Sequence, residues 1–158
     1  MGPAIQIDQD FHGWLLDQAS ALRDQRSYSL DWKHLAEELE SMAAVERREL
    51  RKQLKRLLLH LLKMKYQPEA LNRHHSWRTS IRNARDEIND LMKDSPGIFR
   101  GEQGEILATA FKRAREQASE GTRLRLDTFP ANNPWSLEEI MREDFFPVTQ
   151  PQPRSKKP

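Results

Sequence analysis

Five histidines, His12, His34, His60, His74 and His75, are the side chains of this sequence best suited to bind a metal or move a proton near neutral pH. In a helical di-iron bundle the ligands come as Glu-x-x-His pairs, because that spacing turns both side chains inward from one helix. No Glu here has a His three residues later, and His-Glu-x-x-His is also absent. His60 lies inside the block Leu57-Leu58-Leu59-His60-Leu61-Leu62, which points to a buried, hydrogen-bonded structural imidazole. His74 and His75 fall in a polar link and are expected to be exposed. No metal and no cofactor is expected.

Nucleophilic chemistry has equally little support. Ser76, Ser80 and Ser136 have helical or capping explanations, and none sits in a Gly-x-Ser-x-Gly elbow. Gly97, Gly101 and Gly104 lack the Lys-Ser/Thr ending and the preceding strand of a phosphate loop. Glu37, Glu38 and Glu40 could include an acid–base pair, but a solvated first helical turn explains them more simply. An enzyme is disfavoured.

The stronger polar signal is basic. Arg47, Arg48, Arg51, Lys52, Lys55, Arg56, Lys63 and Lys65 crowd one predicted helix, opposed locally by Glu46 and Glu49. On the next helix Arg78, Arg82 and Arg85 fall at i, i+4 and i+7, one stripe along its surface. Internal neutralisation by Asp86, Glu87, Asp90 and the acidic segment Glu138 to Asp144 leaves ordinary solvated faces. The functional alternative is a patch of Arg48, Arg51, Lys52, Lys55, Arg78, Arg82 and Arg85 that meets nucleic-acid phosphates or an acidic protein. No groove-binding motif accompanies the charges. Glu46 continues the apolar seam of Leu39 and Met42, where an unpaired carboxylate would cost several kcal/mol. It is therefore a candidate buried polar residue, like His60, with Arg82 or Arg85 as its expected partner; a surface Glu beside a bend is the alternative.

These residues must be carried by helices. Asp31 to Tyr66 holds no Gly or Pro, and Trp32, Leu35, Leu39, Met42, Leu50, Leu54, Leu57 and Leu61 recur at helical spacing. The segment becomes apolar nearly all round at Leu57–Leu62, as a helix buried in a core does. A first helix is expected over about Gln9 to Gln25, a third over Ser76 to Lys93, and a fourth over Gln103 to Glu120 with Gly121 as its stop. Ser136 with Glu139 makes a capping-box pattern that opens a short fifth helix. The fold class is all-α: a bundle of about four main helices with one long second helix. Trp14, Trp32 and Trp77 occupy seam positions that suggest burial.

About 36 residues at ~1.5 Å rise would form a rod of roughly 54 Å. A compact chain of this size is roughly 40 Å across. The second helix must project, bend near Ser41 to Glu46, or continue its packing in a second subunit.

Composition sets the remaining bounds. A chain of 158 residues suits one domain, expected over residues 7–147, followed by a disordered basic and Pro-rich tail over 148–158. Charged residues make up 32%, and no apolar run approaches the roughly 20 residues that span a bilayer. The absence of cysteine excludes disulfides and fits a reducing compartment, so a cytoplasmic protein is expected. The net charge of +2 is too small to imply a polyanion partner by itself.

The order of several segments resembles a known family. Asp10-Phe11 with Trp14-Leu15, and Leu30-Asp31-Trp32 with Leu35-Ala36-Glu37-Glu38-Leu39-Glu40, are similar to the opening of the bacterial domain of unknown function 29. Glu46-Arg47, Leu58-Leu59-His60-Leu61-Leu62-Lys63 and Tyr66-Gln67-Pro68 resemble its middle. Ser76-Trp77, Ile81-Arg82, Phe129-Pro130 and Asp144-Phe145-Phe146-Pro147 resemble its later landmarks. The resemblance covers about Ile7 to Pro147. It departs at His12, where the family often has Tyr, and at His34, where Asn is common. It implies a small helical protein, known largely from cyanobacteria and proteobacteria, with no established reaction or ligand. The expectation is a non-catalytic protein-interaction or assembly module, with a protein partner or a homodimer; the alternative is nucleic-acid binding through the second and third helices.

Overall fold

A computed structural model describes residues 4–147. The expected tail, 148–158, lies outside the described residues. The main helices are α1 (Phe11–Arg23), α2 (Trp32–Tyr66), α3 (Leu71–Asp94), α4 (Gln103–Thr122) and the short α5 (Leu137–Met141), with 3-10 turns at Ser27–Ser29 and Leu126–Thr128. Among the described residues no strand occurs, and the all-α bundle with four substantial helices is the fold. The chain divides into two compact units between Val45 and Glu46, inside α2.

The core of the second unit grows out of the Leu-rich end of α2. Leu50, Leu54, Leu57, Leu58, Leu61 and Leu62 are all fully buried, each worth about 1.5–3 kcal/mol over an exposed side chain. One apolar cluster joins them to Trp77, Ile81, Ala84 and Ile88 of α3, Ala110, Phe111, Ala114 and Ala118 of α4, and Ile140 of α5. The alanines of α4 meet this cluster with small side chains, which allows close helix packing. Tyr66 meets the Phe129 ring edge-on at 5.1 Å.

Local chemistry sets the ends. Ser136 Oγ accepts from the Glu139 amide at 3.1 Å while Glu139 Oε2 accepts from the Ser136 amide at 2.8 Å, the expected capping box. Helix α2 is helical throughout Ser41–Glu46. Two expectations are corrected. Helix α3 begins at Leu71, which places His74 and His75 on the helix; His74 is buried, with Nε2 3.3 Å from the Gln67 carbonyl and its ring tilted against Trp77. Gly121 lies within α4, and the left-handed turn that ends the helix is made by Arg123 at φ 60°.

Candidate interaction surfaces

In the N-terminal unit a small polar network takes the place of a large core. Asp10 caps α1 by accepting from the Gly13 amide at 2.8 Å, and a Cβ on residue 13 would collide with that carboxylate. The buried Trp14 donates its indole N–H to Asp31 at 3.2 Å. Gln18, also buried, donates to the Ser29 carbonyl at 3.3 Å and accepts from the Asp31 amide at 2.7 Å. These bonds hold α1 against the start of α2.

His34 Nδ1 lies 2.7 Å from Asp31 Oδ2, and this hydrogen bond is the largest influence holding the Asp31 carboxyl below its usual range. The pair borders an open cleft of 660 Å³ with Ile5, Trp14, Tyr28 and Leu30. An aspartate-oriented imidazole is part of a nucleophile-activating relay, but among the described residues no hydroxyl hydrogen-bonds His34. Among the described residues no group of three or more His, Asp or Glu gathers as metal ligands.

Around this network the unit exposes its apolar side chains. Of twelve exposed large hydrophobic residues among those described, ten lie at or before Val45: Ile5, Phe11, Leu15, Leu16, Leu22, Tyr28, Trp32, Leu39, Met42 and Val45. Trp14 and Ala21 are the unit's buried hydrophobic residues among those described. Trp32, expected to be buried, is 65% exposed, and so is Leu39. Among the described residues, 39–46 are exposed at every position along these two turns of α2.

The second unit carries the basic residues, in two separate places. Arg48, Arg51, Lys52 and Lys55 of α2 line a cleft of 570 Å³ with Glu105, Thr109, Ala110 and Arg113 of α4. Lys52 reaches Glu49 at 3.8 Å; among the described residues Arg48, Arg51, Lys55 and Arg113 make no ion pair.

Arg78, Arg82 and Arg85 instead surround the ring of Phe146, with guanidinium carbons 4.6, 5.9 and 5.2 Å from its centroid. Arg85 is not a surface residue at all, being 3% exposed. Its guanidinium donates to the carbonyls of Ile140 at 2.7 Å, Glu143 at 3.3 Å and Phe145 at 2.7 Å. Burial lowers its pKa, and the nearby carboxylates of Asp144 and Glu143 work against that shift. The predicted stripe is therefore a clamp on the segment after α5, and Arg85 leaves the candidate patch. Sequence spacing missed this because backbone carbonyls leave no mark on residue identity.

Glu46 is likewise corrected. It is exposed and accepts from Ser95 Oγ at 3.0 Å, with no ion pair to Arg82 or Arg85 among the described residues. A carboxylate in water needs no guanidinium to offset desolvation. His60 is half-buried, and its Nδ1–H donates to the Arg56 carbonyl at 2.8 Å. Desolvation lowers its pKa, and the charges of Lys63 and Arg56 push the same way against the backbone hydrogen bond.

No helix among the described residues is long and apolar enough to cross a membrane. No curated protein and no solved structure matches the chain. Residues 7–146, which hold the α1–α2 network, the basic cleft and the arginine clamp, match the model of one family: the chain belongs to the family of the domain of unknown function DUF29.

Proposed function

We propose that this chain is a protein-interaction module whose contact surface is the apolar face of α1 and the first half of α2. The observation that carries this reading is the concentration of exposed apolar side chains before Glu46. Ten exposed large apolar side chains within the first 45 residues, against two in the remaining described residues, are more than the scattered single ones an ordinary monomer surface carries.

A photo-crosslinking amino acid at position 42, in the cells that make this protein, tests the reading. Protein adducts that vanish in a Leu39→Ser variant are expected. Absence of any protein adduct would remove the module reading.

A second reading, binding of nucleic-acid phosphates, keeps the α2–α4 cleft but loses the contribution of Arg85. Oligonucleotide affinity falling steeply with salt would favour it.

A further inference from the structure

Resting on the interaction-module reading, we infer that the partner is a second copy of this chain, whose acidic, apolar N-terminal unit docks in the basic α2–α4 cleft. The net charge of +2 hides a strong segregation. Residues 1–45 hold eight acidic and three basic side chains, a net of −5, whereas residues 46–158 hold sixteen acidic and twenty-three basic ones, a net of +7. The two surfaces left unsatisfied have opposite signs. Glu37, Glu38 and Glu40 flank the exposed Leu39 and Met42 and form no ion pair among the described residues. Arg48, Arg51, Lys55 and Arg113 are equally unpaired and line a cleft between two helices, with Glu105 as the acid within it and Glu49 beside Lys52.

An amphipathic helix with acidic residues beside its apolar anchors, here Leu39, Met42 and Val45 at i, i+3 and i+6, fits such a groove. Each copy has one acidic helix to give and one basic cleft to fill. A two-fold dimer satisfies both at once and closes, since the same pair of surfaces meets twice. A polyanion would neutralise the cleft but leave Leu39, Met42 and Val45 in water, so it accounts for half of what is exposed.

The full chain should sediment at twice 18.6 kDa at micromolar concentration and low salt. Charge reversal in the donor helix, E37K/E38K/E40K, and in the cleft, R51E/K55E, should each weaken the dimer at least tenfold, with helicity checked by circular dichroism. Mixing these two variants should restore the dimer, because in the mixed pair each reversed surface meets the reversed partner and each unaltered surface meets an unaltered one. Simple misfolding cannot produce that rescue. A monomer at tens of micromolar, or a mixture that stays monomeric, would overturn the inference. So would a cleft variant that keeps the dimer's mass and loses binding of a labelled single-stranded oligonucleotide. Crosslinks from position 42 to a different protein, with a monomeric chain, would sink the homodimer and leave the module reading standing.

Discussion

Arg85 shows how a single side chain can look functional in a sequence and be structural in the fold. Its three acceptors are main-chain carbonyls, and the buried one, that of Ile140, would be left desolvated and unpaired without it. Arg85→Ala should destabilise the protein by about 3 kcal/mol or more, and Arg85→Lys should recover little of this. An ammonium has no planar fork to reach three carbonyls, so thermal denaturation of the two variants should give similar midpoints. His60 makes a separate prediction through its depressed pKa. Above the unfolded value of about 6.5 both states leave the imidazole neutral, and its contribution to stability is complete. As pH falls below that value the unfolded chain takes up a proton that the native site resists, and stability is lost toward the native pKa. His60→Gln should therefore flatten the fall in melting temperature between about pH 6.5 and pH 5. A melting curve equally pH-dependent in the variant would contradict this.

At the scale of elements, whatever was encoded locally was legible. The Ser136–Glu139 capping box and the Leu-rich end of α2 depend on spacing within one segment, and both are present as read. The start of α3 was missed because Ala70 stands at its cap position without a side-chain hydrogen bond, and because His74 reads as polar. The end of α4 was misplaced by two residues because Arg123 adopts a conformation that Gly121 would have taken more easily. Periodicity identified the apolar face of α2 but not what covers it, which is why Trp32 was expected inside and lies outside. The candidate surfaces divide in the same way: Arg48, Arg51, Lys52 and Lys55 share one cleft, whereas Arg78, Arg82 and Arg85 surround an aromatic ring from another part of the chain. The uncovered turns at residues 39–46 carry their own prediction. Helices in proteins draw most of their stability from packing, so these amides should exchange with solvent far faster than those of Leu57–Leu62. If a second copy covers them, protection should rise as protein concentration goes from about 1 to about 100 µM. Exchange that ignores concentration would count against self-association.

For the molecule as a whole, net charge was a poor guide because it is a sum over unlike parts. A value of +2 is compatible with a bland surface, and a −5 unit together with a +7 unit gives the same total. Charge arranged this way favours association between copies at low ionic strength and weakens it as salt screens the attraction over about 10 Å. The arginine clamp has a consequence in time as well as in space. Arg85 lies just past the middle of the chain, and its last acceptor, the Phe145 carbonyl, comes 60 residues later. During synthesis the guanidinium must stay in water until residue 145 has emerged, since burying it sooner would leave a charge without its full set of acceptors. The second unit therefore completes its core only after the chain has been made as far as Phe145, and a chain stopped short of Phe145 carries a standing reason to remain open to proteases.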